Sequence, residues 1–446
     1  ARPLAAQRVA KAPAPVVGAP ALEPGVSEAL ARWRAARVRD VRYALALDLA
    51  GASRDTVRGE VTVRFVRTGG GDAILDWRGL RLGAATVNGR AAPGLAAERG
   101  HVRVPAALLR DGENAVALDF AAAIAPAGAS IIRYRDATDG AEYLYTLLVP
   151  NDAPALFPCF DQPDLKARVT LSVRAPAGWT VLANGAGRAA GDAAGDAAGT
   201  RRWTFAETRP ISTYLIAFAA GPWRTATRTV AGRPITLYAR ASRMREVEVD
   251  SILEQNGRAL AWLERWFARP YPFGKYDVLL APAFPFGGME HPGAVFYNEE
   301  SFVFRERPTL PQRLGRAATI YHEVAHQWFG DLVTMRWFDD LWLKEGFATY
   351  MAARMQGALD PRPGAAAEAW KTFHLRNTPP AVAVDASAGT TPVWQALANL
   401  DQAKSNYGAI VYNKAPAILK QLEYAVGARA FQAGVRDFLA RHAYGN

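Results

Sequence analysis

The sequence predicts two domains in series: an all-β first half, then a mixed α+β second half that becomes increasingly helical. Three observations carry this reading. The 446 residues, 50% of them hydrophobic, suffice for two or three domains with filled cores. From about residue 38, apolar residues recur with a period of two. After Gly221-Pro222 and a few more strand-like residues, the period lengthens towards that of a helix.

Residues 1–24 are rich in Ala and Pro, carry no aromatic residue and lack the apolar core of a signal peptide, so they read as a flexible leader. The β domain is assigned to residues 25–220. Tyr43, Leu45, Leu47 and Leu49 alternate at strand spacing, as do Val61, Val63 and Phe65. Asn88-Gly89 marks a turn. Further strands are expected at 115–120, 142–149, 167–173 and 214–219. The repeated Ala-Ala-Gly-Asp within 185–200 is low-complexity and reads as a mobile hairpin tip without chemistry.

The second domain is assigned to residues 221–446. Ile252, Leu260, Leu263 and Phe267 predict a helix over 243–268, which Pro270 stops. Another helix is expected over 339–356, with acidic residues at its start. Gly346 costs some helicity there.

Composition narrows the function classes. No apolar run reaches the length of about 18 residues that a membrane span needs. The single cysteine, Cys159, excludes an internal disulfide. A net charge of +11 raises a nucleic-acid or anionic-surface role, but the arginines are scattered without a basic block. No nucleic-acid partner is expected. A chain beginning at Ala1 fits a mature exported protein, a cytoplasmic protein without its initiator methionine, or a trimmed chain. An exported or periplasmic protein is favoured over a cytoplasmic one, and the oligomeric state is left open.

The most specific pattern is His322-Glu323-Val324-Ala325-His326, followed by Glu345 after eighteen residues. Residues four apart lie on one face of a helix, so His322 and His326 can present two imidazoles to one ion. Glu323 lies a residue further round, off the metal but close to an open coordination position, where it can act as a base on water. Two histidines and a glutamate are a known ligand set for catalytic zinc, which makes Glu345 the third ligand. Gly330-Asp331 and the run from Leu332 to Trp337 allow the chain to turn back between the two helices.

Three further stretches accompany this motif: Phe157-Pro158-Cys159-Phe160-Asp161-Gln162-Pro163-Asp164-Leu165-Lys166, Gly287-Gly288-Met289-Glu290-His291-Pro292 and Tyr412-Asn413-Lys414. Together they make the chain resemble the aminopeptidase N family of thermolysin-like zinc peptidases, which also includes the leukotriene hydrolases. The resemblance runs from about residue 38 to the end. It implies a saddle-like N-terminal β domain packed on a thermolysin-like catalytic domain, one Zn2+ per chain, and removal of N-terminal residues from peptides with a free N-terminus. Members usually continue into a helical C-terminal domain, which is absent from this chain; the expectation is either a fragment or a more open cleft.

By this resemblance Glu290 grips the substrate's α-amine, with Gly287, Gly288, Met289 and His291 in the same substrate-binding segment. A carboxylate there can pair with an ammonium and fix the scissile bond one residue in. Tyr412 corresponds to the tyrosine that donates to the oxyanion, and Tyr407 to a second family tyrosine.

Two departures stand out. His291 replaces the asparagine of Gly-x-Met-Glu-Asn, and a histidine changes charge at about pH 6.5, which would weaken amine binding. Thr146-Leu147-Leu148-Val149 stands where the family has Thr-Gln-x-Glu, leaving Glu290 almost alone in amine recognition. With Leu147, Val149 and Phe286 nearby, an apolar first residue is the expected preference. An endopeptidase, an epoxide hydrolase or a catalytically weak binding protein are the alternatives on this fold. The presence of all three ligands and the base speaks against the last.

Overall fold

The alternation from Tyr43 to Leu49 is realised in the strand Val38–Asp48, which buries Val41, Tyr43, Leu45 and Leu47 and turns Arg42 and Ala44 outwards. The computed structural model describes residues 18–52, 55–190 and 199–446. This strand runs antiparallel to Thr56–Arg67 and parallel to Ala167–Pro176, inside a 12-stranded sheet. Register sets Tyr43 between Val63 and Val169, so three buried side chains share one face. At the predicted turn, Asn88 (φ 52°) and Gly89 (φ 80°) both take the positive φ that a two-residue hairpin loop requires. Through Gly112–Ala125, Ile131–Arg135 and Glu142–Thr146 the sheet reaches Phe218–Gly221.

Three local expectations in the first half are corrected. The strand expected at 214–219 begins only at Phe218, because Thr213–Leu215 is a 3-10 turn. Ser212 Oγ donates to Pro163 O at 2.7 Å and Thr213 Oγ1 to Asp161 Oδ1 at 2.5 Å, tying this segment to the Phe157–Lys166 stretch instead of the sheet. The first half, β-rich as expected, also opens with a helix, Glu28–Ala35, too short for its period to stand out. Ser27 caps it, and Arg34 grips Asp76 through both guanidinium nitrogens in a buried pair. Of the assigned leader, residues 1–17 lie outside the described residues. Its end is docked: Leu22 packs on the core and Glu23 O is 2.9 Å from His101 Nε2. In the low-complexity insert, Gly187–Ala189 pairs with Thr200–Phe205, and the expected tip at 191–198 lies outside the described residues.

From Arg224 a second sheet of five strands begins. The helix expected over 243–268 occupies Val249–Phe267, because Met244–Glu246 forms a separate 3-10 turn. It ends where Ala268 turns left-handed, at φ 50°. The edge strand Gly288–Met289 runs antiparallel to Ala294–Asn298. Thr309 and Gln312 form a capping box for the histidine helix, Leu310–His326. The glutamate helix, expected over 339–356, spans Trp342–Leu359, because Asp339 and Asp340 belong to a 3-10 turn, Phe338–Asp340. Gly346 is explained by packing: a β-carbon there would lie 2.9 Å from that of Ala415. Among the described residues no helix is long and apolar enough to cross a membrane. The β-rich half followed by a helix-rich half is the predicted fold class.

Candidate active site

The histidine and glutamate helices pack against each other and bring three donor atoms to one point. His322 Nε2 is 2.9 Å from His326 Nε2, and Glu345 Oε2 is 3.2 Å from the first and 3.4 Å from the second. The outer ring nitrogens are engaged elsewhere. His326 Nδ1 donates to Phe329 O at 2.9 Å, and His322 Nδ1 lies 3.3 Å from Thr349 Oγ1. The Phe329 carbonyl fixes the His326 tautomer with its Nε2 lone pair inwards, and the Thr349 hydroxyl can accept from the same tautomer of His322. Two lone pairs and a carboxylate oxygen this close repel one another unless a cation sits among them. The donor set therefore fits a metal with a preference for nitrogen and oxygen ligands.

Glu323, one residue beyond His322, faces the edge strand. Its carboxylate lies so close to Gly288 that a β-carbon there would be 2.6 Å from Oε1. Burial pushes the Glu323 carboxyl up to about 8; His326 pulls it down, while Glu290 and Glu345 push it further up. A dication at the neighbouring donors would draw it back, towards the range useful for a base at neutral pH. Glu290, Glu323 and His326 also present oxygen and nitrogen atoms within 4.8 Å of one another, so the Glu290 and Glu323 carboxylates share one wall.

Glu290 follows the edge strand directly. Gln327 Nε2 donates to its backbone carbonyl at 2.8 Å, and its side chain is bonded to the ammonium of Lys344. Burial alone would raise the Glu290 carboxyl; Lys344 beside it outweighs that and holds it below its ordinary value. Lys344 Nζ also lies 3.1 Å from Glu345 Oε1 and 5.0 Å from the centre of the Tyr214 ring.

His291 differs from expectation. It is fully buried against Phe296, with ring centroids 4.7 Å apart, and is not among the residues lining the cavity. Burial pushes its imidazole down to about 4, so it carries no charge near neutral pH. The charge expected to weaken amine binding is absent. Leu147 likewise packs into the core of the β domain, whereas Val149, Pro150 and Phe286 line the cavity.

The cavity measures about 760 Å³ and is lined by Gly287, Gly288, Met289, Glu290, His322, Glu323, His326, Glu345, Tyr407 and Tyr412 among others. Every predicted site residue except His291 thus meets there. Tyr412 lies in a π-helical turn, Ile410–Lys414. Pro416 has no N–H to give the Tyr412 carbonyl, which loosens the α-helical ladder at that point. The rings of Tyr412 and His322 are 6.1 Å apart. Burial, then Glu345, pushes the Tyr412 phenol well above its ordinary value, so it remains a donor.

Two family models match the chain: peptidase M1 N-terminal domain over residues 43–215 and peptidase family M1 domain over residues 252–446, the second of which contains the donor set. The chain belongs to the peptidase M1 family. It is similar to aminopeptidase N of Streptomyces lividans, with 36% identity over 93% of this chain and 48% of that protein. Aminopeptidase M1-A of Oryza sativa subsp. japonica is 31% identical over 68% of the chain and 33% of its own length. Probable aminopeptidase 1 of Sulfurisphaera tokodaii is 30% identical over 69% and 38%. The chain spans about half of the first relative and about a third of the others.

Membership of the M1 family implies a metal, for which His322, His326 and Glu345 supply the donor set. Sequence reasoning missed Lys344, Thr349 and Gln327. Lys344 left one signal: a cation in the first turn of a helix opposes the helix dipole, and so calls for a local anion.

Proposed function

We propose that this chain carries the active site of a zinc-dependent aminopeptidase, with one Zn2+ held by His322, His326 and Glu345. The observation that carries the reading is the convergence of this donor set with Glu323 and Glu290 on one wall of one cavity. When bound, zinc would supply a Lewis acid that polarises the scissile carbonyl and acidifies water.

Glu323 takes the proton from the attacking water and returns it to the departing amine. Tyr412 donates its phenolic proton to the oxygen that gains negative charge. Glu290 receives the substrate's α-ammonium and sets the register, which restricts cleavage to the first peptide bond. Lys344 keeps Glu290 ionised, and Gln327 fixes its backbone. Val149, Pro150, Phe286 and Met289 line the same cavity as Glu290 and favour an apolar first residue.

Leucine and alanine p-nitroanilides should be cleaved, and their N-acetylated counterparts refused. Equal cleavage of blocked and free substrates would instead indicate an endopeptidase. In a panel of aminoacyl amides, arginine or lysine cleaved best would reject the apolar preference.

A further inference from the structure

The cavity is charged unevenly. Its three carboxylates, Glu290, Glu323 and Glu345, all belong to the centre just described. The lining from the helix Ala365–Asp385 and the Tyr412 turn carries no carboxylate: Thr372, Phe373, Asn377 and Asn413 are neutral, and Arg376 stands among them. Among the described residues no carboxylate pairs with the Arg376 guanidinium.

Arg376 is held at a defined place. Its helix runs back along the glutamate helix: a β-carbon on Gly357 would lie 3.0 Å from Ala366 Cα, and the Tyr350 and Trp370 rings are 5.9 Å apart. Continuing that antiparallel register sets Arg376 about level with the turn carrying Glu345, one of the three metal donors. Pro380, inside the same helix, has no N–H for the Arg376 carbonyl. Asn413 takes its place, donating Nδ2 to Arg376 O at 3.3 Å and to Asn377 Oδ1 at 3.0 Å. The backbone at Arg376 is thereby fastened to the residue next to Tyr412.

We propose that Arg376 recognises a carboxylate on the leaving side of the scissile bond, in the second or third residue of the peptide. This rests on the aminopeptidase reading and deepens it by naming a substrate class. Arg376 lines the same cavity as the metal donors, so an extended peptide that runs out from them, at about 3.3 Å per residue, passes it within a few residues of the scissile bond. Guanidinium recognises carboxylate through paired N–H donors. The carboxylate has two possible sources: the side chain of Asp or Glu, or the C-terminus of a di- or tripeptide.

The test compares kcat/KM for matched pairs in zinc-loaded protein: Leu-Glu-amide against Leu-Gln-amide, and Leu-Gly-Gly against its amide. Leucine p-nitroanilide, which has no carboxylate, runs alongside. The carboxylate member of at least one pair should be preferred about tenfold, as for a charge-assisted hydrogen bond at a partly exposed site. A response of the first pair alone identifies an acidic side chain, and of the second alone a short peptide's terminus. Arg376→Ala should bring the ratio towards one and Arg376→Glu should invert it; Arg376 is exposed, so neither change threatens the fold. Ratios near one in the unaltered protein, or ratios unmoved by Arg376→Glu, overturn the proposal while p-nitroanilide hydrolysis preserves the aminopeptidase reading. No p-nitroanilide hydrolysis overturns both.

Discussion

The ammonium of Lys344 is bonded to the carboxylate of Glu290, and both side chains are buried. The proposed amine site is thus already paired before any substrate arrives. Removing one member of a buried pair leaves the other uncompensated, at a cost of about 3–5 kcal/mol. Lys344→Met should lower stability by that order in chemical denaturation, and adding Glu290→Gln should recover most of the loss. A Lys344→Met protein as stable as the parent would show that the pair does not hold the site together.

Gly288 leaves room for the Glu323 carboxylate, and a β-carbon there would meet it at 2.6 Å. Gly288→Ala should therefore behave like Glu323→Gln: metal content retained, turnover reduced by about 10²- to 10⁴-fold, the range of a lost general base. Metal analysis and kcat on the same preparation check this. Substantial activity in Glu323→Gln would remove Glu323 from the base role.

Tyr412 keeps its proton because burial disfavours the phenolate. Tyr412→Phe removes a donor to developing charge and should lower kcat by about 10²- to 10³-fold with little change in KM. A change confined to KM would make Tyr412 a binding residue only.

Asp161 predicts a pH dependence of stability remote from the metal centre. Burial pushes its carboxyl up to about 7 from an ordinary 3.8; the Thr213 hydroxyl lowers it and Asp76 raises it. The folded state therefore holds this proton more tightly than the unfolded chain. The contribution is complete below about pH 4 and is lost as pH rises through 7, by roughly 4 kcal/mol. Asp161→Asn can keep the acceptor for Thr213 and should gain stability relative to the parent between pH 5 and 8. A stability difference independent of pH would refute the assignment.

The metal centre was legible in the sequence because its geometry is local: a helical period fixes His322 beside His326. Glu345 needed only a chain reversal in between. Glu290 and Tyr412 were reached through resemblance, since the edge strand and the π-helical turn that carry them have no periodic signal. Lys344 left only the weak signal of a cation in a helix's first turn, and Arg376 left none, because their surroundings arise from packing between segments distant in sequence. His291 was misjudged because its ordinary pKa was assumed, and a sequence does not state that a histidine will be sealed against Phe296. The strand expected at 214–219 failed for a related reason: the strand signal of a short apolar run was overridden by hydrogen bonds from Ser212 and Thr213 to Pro163 and Asp161.

The most direct test of the central claim is hydrolysis of leucine p-nitroanilide by purified protein before chelation, after chelation and after zinc is restored. The account predicts activity that disappears with the metal and returns with one zinc per chain, and no return in His326→Ala. Activity that survives complete metal removal, or zinc bound stoichiometrically without hydrolysis, would contradict it.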